Sequence, residues 1–466
     1  MPVDLIHTAL MRHASERPDL VAVCDRGVDV TYGELWERVS TLAGALTRDI
    51  APGAAVAYIA GRNPETVVVH HALAVAGLIG VPMNGAAPEG ERNAQCEGAV
   101  DVSIGDAFPA CPRRIEATSI AGSAMIQDAP QPDSVHSVVF TSGTSGTPRG
   151  VMLSHGNVAA AADGAASHLG LTARDRWLGA LPLFHVGGLA VLWRMAFVGG
   201  AVVFEGDDFD VGEMIRAINS GSISWISMVP TMLQRVLVRG AAPSVRVSVL
   251  VGGGPVDPGL VAQGSAQGLT ILPTYGMSET TSQAVTATDG GAWAATLAGQ
   301  PLPGVTVEVL DTDGVSSTIG TGRLVISGPT VAIGTVDGER FDGRYVTNDI
   351  GNIDETGAVR VLGRADDVVI TGGENVHPQE VEDALRSCGA TGAVVWGVED
   401  DEWGEVLVGA VTLGPEATIS SVLDKMRSRV APHRVPKRLW SVDEFPLLPN
   451  EKIDRRTVRA TPFPFL

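Results

Sequence analysis

The sequence predicts an α/β protein: a large N-terminal part of βαβ layers, a β-rich subdomain at about residues 299–365, and a small α+β domain at the C-terminus. Three changes of texture carry that expectation. Short β-rich runs alternate with helical patterns from the N-terminus onward, as parallel strands joined by crossover helices do. From about residue 299 the pieces become shorter and β-like, joined by acidic turns. After GRADD, which starts at Gly363, strands and helices return.

In chain order, VAVCD reads as a strand, TYGELWERVSTLAGAL as a helix, AAVAYIA as a strand, PETVVVHHALAVAGLIG as a helix and VPMN as a strand. SVVF, AVVF, SISWISMVP, VRVSVLVGGG and LTILPTYG follow. Each is an apolar run ending in a loop, the pattern of a strand covered on both faces. VTVEVL, GRLVISG and AVRVLG, linked by LDTDG and IDETG, suggest an antiparallel or barrel-like subdomain. Past GRADD come the strand VVIT, the helix PQEVEDALRSC, the strands GAVVWGV and EVLVGAVTL, the helix SSVLDKMRSRV and a final loop. The expected division is an N-terminal domain at 1–365 and a C-terminal domain at 366–466.

The 466 residues suffice for about three domain-sized units. With 53 acidic and 33 basic residues the net charge is −20, which argues against binding nucleic-acid phosphates or an anionic membrane. Cys24, Cys96, Cys111 and Cys388 form no CxxC pair, so neither a zinc knuckle nor a disulfide framework is indicated. The first residues lack a basic stretch followed by an apolar one, and no apolar run reaches the ~18 residues of a membrane span. A cytoplasmic location and small-molecule partners are expected.

The sharpest motif is Phe140–Gly150, FTSGTSGTPRG, with three glycines and five hydroxyl residues. It follows a strand and precedes VMLSHGNVAAAADGAA, read as a helix. Backbone N–H and hydroxyl groups in such a loop can wrap phosphate oxygens. It is not a Walker A loop. VSVLVGGGPVDPG fails the dinucleotide pattern because Asp257 stands where the third glycine belongs, and neither H-E-x-x-H nor G-x-S-x-G occurs.

FTSGTSGTPRG resembles the phosphate loop of the adenylate-forming superfamily: acyl- and aryl-CoA synthetases, peptide-synthetase adenylation domains and firefly luciferase. Other motifs similar to that superfamily's follow in its order: TYGEL at Thr31, LPLFHVGGL at Leu181, GGGP at Gly252, PTYGMSET at Pro273, TND at Thr347, GRADD at Gly363, GGENVHPQEVE at Gly372 and NEKIDR at Asn450. The resemblance spans roughly residues 5 to 460. LPLFHVGGL and GGENVHPQEVE are most similar to 2-succinylbenzoate–CoA ligases of menaquinone synthesis, and malonate and aromatic-acid CoA ligases share much of the wording.

What the resemblance implies is an AMP-forming acid–CoA ligase using ATP, Mg2+ and coenzyme A. Thr141, Ser142, Gly143, Thr144, Ser145 and Gly146, with Arg149, would hold the β- and γ-phosphates. Glu279 would bind Mg2+, and Tyr275 would stack on adenine, with Gly276, Met277 and Ser278 continuing the nucleotide stretch. Gly252, Gly253 and Gly254 would let backbone approach the base. Asp349 would accept the ribose hydroxyls, Arg364 would reach ribose or phosphate, and Lys452 would bridge the attacking carboxylate and the α-phosphate. His185 would gate the acid pocket from the thiol tunnel. Asp366 would be the hinge of a mobile C-terminal domain whose other face, with Gly372, Gly373 and Glu374, meets the thiol.

The chain departs from the pattern in places. Arg149 replaces the usual Lys, a planar fork in place of a point charge. Asn348 interrupts the usual Thr-Gly-Asp, and Glu451 replaces the usual Gly before the lysine, which is expected to stiffen that loop. On one continuous helix nine steps of about 100° put Arg194 opposite His185, which makes Arg194 structural unless Gly187 and Gly188 break the helix. Three alternatives stay open: a malonate, aromatic or fatty acid–CoA ligase, an enzyme that loads a carrier protein, and a nucleotide-binding protein without ligase activity.

Overall fold

The computed structural model describes residues 4–105, 111, 113–115, 130–142, 148–206, 210–288, 298–400, 402–448 and 451–463. Among these residues the strands form three sheets. In the largest, Val21–Asp25, Ala201–Phe204, Arg176–Leu178, Trp225–Met228, Val247–Val251 and Leu269–Tyr275 lie side by side and parallel. Val285–Thr286, Ala298–Pro301, Val359–Arg364, Arg344–Ile353, Gly320–Ser327 and Thr306–Leu310 then extend the same sheet, all antiparallel. The β-rich stretch is thus hydrogen-bonded onto the edge of the parallel strands. A second sheet carries Arg114–Ile115, Val102–Ile104, Ala55–Ile59, Ile79–Met83 and Val135–Ser142 in parallel, then Pro148–Ser154 and Gly334–Thr335 antiparallel.

Side-chain alternation fixes the layers. Val23, Trp177, Val202, Leu250 and Leu272 of the large sheet face the same core as Val56, Tyr58, Val139 and Val151 of the second. Helices Ile6–Glu16, Tyr32–Asp49, Pro64–Val75, His155–Leu169 and Val186–Val198 supply much of the rest of that core, so they form a layer between the two sheets. The next residues along the large sheet, Cys24, Leu178, Val203, Val249 and Ile271, face an outer layer of helices Val211–Ser220, Pro230–Arg239 and Pro258–Ala266. Strands covered on both faces explain the unbroken apolar runs in the sequence.

Two local motifs act through helix starts. Thr31 and Glu34 of TYGEL form a capping box: the Thr31 N–H donates to Glu34 Oε2 at 2.8 Å and the Glu34 N–H to Thr31 Oγ1 at 3.3 Å. The stretch after the Ser/Thr/Gly loop, expected as one helix, begins instead as the strand Pro148–Ser154, antiparallel to Val135–Ser142. Val151 and Leu153 point into the inter-sheet core while Met152 points away, which is a strand's period and overrides the helical reading. The helix starts at His155, where Ser154 Oγ accepts from the Asn157 N–H at 3.0 Å.

The third sheet is C-terminal, with Glu374–Val376, Val369–Thr371, Gly404–Leu413 and Ala390–Asp400 antiparallel and Arg438–Ser441 parallel to Gly404–Leu413. Helices Pro378–Ser387 and Ile419–Arg427 cover one face. On the other lies helix Arg455–Ala460, tethered by the buried Glu382, which accepts from Arg455 Nη2 at 2.6 Å and from the Val395 N–H at 2.8 Å. This unit docks on the N-terminal part through Arg386 Nε to Asp257 Oδ2 at 3.1 Å and Arg235 Nη1 to Glu451 Oε2 at 2.5 Å. Among the described residues all four cysteines are free and buried, and no helix is long and apolar enough to cross a membrane.

Candidate active site

The cleft between the C-terminal sheet and the large sheet collects most of the residues singled out by sequence. Strand Leu269–Tyr275 ends at Tyr275, and the chain then folds back so tightly that a Cβ on Gly276 would stand 1.6 Å from the Ser282 carbonyl oxygen. Thr281 and Ser282 complete the reversal with φ of +51° and +91°. Met277, Ser278 and Glu279 lie within this reversal, where Ser278–Thr280 makes one tight helical turn.

Tyr275 donates its hydroxyl to Asp349 Oδ2 at 2.6 Å. Thr347 aims that carboxylate: its Oγ1 donates to the Leu324 carbonyl at 2.9 Å and accepts from the Asp349 N–H at 3.0 Å, so the Thr is used although Asn348 interrupts the motif. Sheet register sets Arg364 opposite Asp349, with Nη1 3.8 Å from Oδ1. Arg364 also forks onto Asp366 at 3.0 and 3.1 Å, and those bonds hold the Asp366 carboxyl below its ordinary range. Burial raises Asp349, partly offset by the Tyr275 hydrogen bond.

Glu279 faces the Tyr345 hydroxyl, with Arg149 and Asp349 within electrostatic range, and burial raises its carboxyl. Burial and the Glu279 charge push Tyr345 up to about 12. A single hard oxygen donor of this kind suits Mg2+ that takes its other ligands from phosphate oxygens and water. No group of three His, Cys, Asp or Glu side chains among the described residues could hold a metal alone.

From the C-terminal side Lys452 enters the cleft. Its Cε and Nζ lie 2.9 and 3.1 Å from where a Cβ of Gly253 would be, and Gly253 has φ +77°. Gly252 is packed on Thr274, whereas Gly254 is exposed. His185 occupies the N-cap position of helix Val186–Val198 without a side-chain capping bond; burial, with the Lys452 charge added, pushes it down to about 4. Burial also lowers Lys452.

Two groups of predicted residues stand differently. Gly143, Thr144, Ser145 and Gly146 lie outside the described residues. Thr141 and Ser142 end a strand, opposite Arg149 and Pro148 on the next, and Arg149 is ion-paired with Glu339. Gly372, Gly373 and Glu374 sit on an exposed turn of the C-terminal sheet, where the Gly372 N–H donates to the Trp403 carbonyl at 3.0 Å and Gly373 faces open space. Lys452 occupies the cleft, and this turn packs on its own sheet.

The model of the AMP-binding enzyme family matches residues 10–335, and that of its C-terminal domain residues 380–452. The chain belongs to the AMP-binding enzyme family. A 2-succinylbenzoate–CoA ligase of Bacillus cereus is 32% identical, with 97% of each chain covered, and one of Bacillus pumilus 31%, covering 97% of this chain and 98% of the relative. Among solved structures, o-succinylbenzoate CoA synthetase (MenE) from Bacillus subtilis in complex with the acyl-adenylate intermediate OSB-AMP superposes with a TM-score of 0.88 at 29% identity, over 98% of this chain and 99% of that one. ATP-bound MatB from Rhodopseudomonas palustris gives 0.87 at 26% identity, over 98% of both chains.

Two residues of this family member went unremarked or undervalued in the sequence. Tyr345, two positions before the TND motif, faces Glu279 and carries no signal beyond its neighbourhood. Arg194 lies on an unbroken helix, since Gly187 and Gly188 do not interrupt Val186–Val198. It is 2% exposed, stacks over Trp177 at 5.2 Å and reaches Ser282 Oγ at 3.4 Å, while its Nε has no partner. Burial lowers it to about 9, and among the described residues no carboxylate pairs with it. Buried arginines are usually paired, and here the Trp177 face supplies part of the compensation. Its only sequence signal is a charge inside an apolar helix.

Proposed function

We propose that this chain is an AMP-forming ligase that joins a dicarboxylic aromatic acid, 2-succinylbenzoate, to coenzyme A through an acyl adenylate. The observation that carries the reaction type is the convergence of Lys452 with Gly253 and His185 in the cleft that holds the Tyr275–Asp349 pair. A carboxylate oxygen of the acid attacks the α-phosphorus of ATP, and the bond to pyrophosphate breaks. Lys452 lies between the two anionic reactants and lowers their repulsion. Asp349 accepts the ribose hydroxyls, Tyr275 covers the base, and Glu279 would hold Mg2+, whose charge offsets that of the phosphates. Thr141, Ser142 and Arg149 flank the phosphate loop, with Arg149 exchanging Glu339 for phosphate. In the second step the CoA sulfur attacks the acyl carbon, its proton leaves, and AMP departs.

That second step requires a different face in the cleft. We assign residues 1–365 to a nucleotide- and acid-binding domain and 366–466 to a domain that turns about Asp366, exchanging Lys452 for the Gly372–Glu374 turn. His185 stands at the boundary between acid and thiol. Support for the acid comes from the named relatives and from Arg194, a buried cation with a spare donor that a second carboxylate would neutralise. A cytoplasmic location goes with these small-molecule partners.

The test is a panel of 2-succinylbenzoate, malonate, benzoates and fatty acids, scored for acid-dependent pyrophosphate exchange and for thioester with CoA or with a carrier protein. The expected result is exchange and CoA thioester with 2-succinylbenzoate above all others. Exchange with no acid would leave a nucleotide-binding protein, and thioester on carrier protein alone would move the acceptor.

A further inference from the structure

Glu451 has φ +64°, the left-handed region that L side chains disfavour, one residue before Lys452. A glycine would adopt it freely, so a glutamate there needs compensation from its contacts. Its carboxylate and its carbonyl oxygen both reach one helix. Glu451 Oε2 meets Arg235 Nη1 at 2.5 Å, and Thr231, in the first turn of helix Pro230–Arg239, donates its hydroxyl to the Glu451 carbonyl. The Glu451 N–H donates to the Leu448 carbonyl and the Leu448 N–H to the Lys452 carbonyl, both at 2.8 Å, which carries the constraint to Lys452 itself. The same helix starts beside Val229, whose side chain is 3.5 Å from the Cβ position of Gly253. The carboxylate of Glu451 is 25% exposed and Arg235 44%.

We propose that Arg235 and Glu451 form an orientation latch: a positioning pair, absent from the reaction itself, that holds the C-terminal domain with Lys452 in the cleft and opposes the rotation that would replace it. The two residues belong to different sheets' layers, so the pair exists in the docked orientation and breaks when the domain turns about Asp366. Such a contact biases the two orientations by no more than its own free energy, about fivefold for a pair this exposed. The latch rests on the ligase reading, and its test keeps the two apart.

Arg235→Ala and Glu451→Gln are compared with the parent in acid-dependent pyrophosphate exchange and in CoA thioester formation from supplied acyl adenylate. Spin labels at the exposed Val238 and Ile370 report the distance between helix Pro230–Arg239 and the C-terminal sheet. Expected are a loss in exchange of about fivefold, thioester formation unchanged or faster, and a broadened distance distribution. The charge-swapped double variant Arg235→Glu, Glu451→Arg restores the parent values. Equal loss in both half-reactions, or an unchanged distance distribution, overturns the latch. A parent without acid-dependent exchange overturns the ligase reading, while the label distances still decide the latch.

Discussion

Lys452 lies against Gly253, with its Cε 2.9 Å from the point where a Cβ would stand. The two are 199 positions apart in the sequence and come from opposite sides of the cleft. Gly253 also has φ +77°, so a side chain there is both strained and in the path of the ammonium. Gly253→Ala is expected to displace Lys452 and slow acid-dependent pyrophosphate exchange about a hundredfold, the scale of a misplacement near one ångström. Exchange at the parent rate would mean that Lys452 does not work from this position.

Lys452→Ala is expected to cut exchange to a small residual rate and largely spare thioester formation from supplied acyl adenylate. Adding Gly253→Ala to it should cost little more, because both act through one ammonium. Additive losses in a double-variant cycle would separate the two residues.

Tyr275 holds Asp349 by a 2.6 Å hydrogen bond that lowers a carboxyl otherwise raised by burial. Removing the hydroxyl raises Asp349 further, so Tyr275→Phe should move the acid limb of kcat/KM for ATP to higher pH. Asp349→Ala should raise the KM for ATP by roughly tenfold or more, since hydrogen bonds to a charged group contribute about 1.5–3 kcal/mol. A pH profile unmoved in Tyr275→Phe would show that Asp349 is not the titrating group.

Arg194 stacks on Trp177, and among the described residues no carboxylate pairs with it. Arg194→Met keeps much of the volume and removes the charge. It should lower kcat/KM for 2-succinylbenzoate about a hundredfold, the scale of truncating one partner of a buried charge pair, while leaving a monocarboxylic aromatic acid nearly unchanged. Equal losses for both acids would make the arginine a packing residue. Thermal unfolding of the variant checks that the fold survives.

His70, His71, His136 and His155 are 1–3% exposed in one cluster, with His70 between the Tyr58 hydroxyl and the Trp193 N–H, each at 2.8 Å. Burial lowers all four, His71 to about 4 and His155 to about 3. These are bases depressed in the folded state, so the stability they permit is full above pH 6.5 and is lost as pH falls below it. Each contributes a slope of about 1.4 kcal/mol per pH unit until its folded pKa is reached. Acid unfolding followed by circular dichroism should therefore be steep, beginning below pH 6.5, with proton uptake of about four from this cluster. His71→Gln should reduce the uptake by about one, and an uptake near zero in the parent would show these imidazoles to be protonated in the fold.

The sequence alone determined most of the parallel strands, because Val23 and Cys24, or Val202 and Val203, face apolar cores on both sides and leave unbroken apolar runs that strands buried on both faces require. It also determined the family, through motifs spread from Thr31 to Asn450 in one order. The strand after the Ser/Thr/Gly loop was hidden, because Val151, Met152 and Leu153 are as apolar as a helix segment and only the core on each side reveals their period. Tertiary structure decided what faces what. Sheet register put Arg364 opposite Asp349, a domain interface put Lys452 on Gly253, and the reversal at Gly276 put Ser282 beside Arg194. Periodicity records which side of an element is apolar. It carries no information about which charged group, folded in from elsewhere along the chain, will share the desolvated space, and that sharing sets the electrostatics of the cleft.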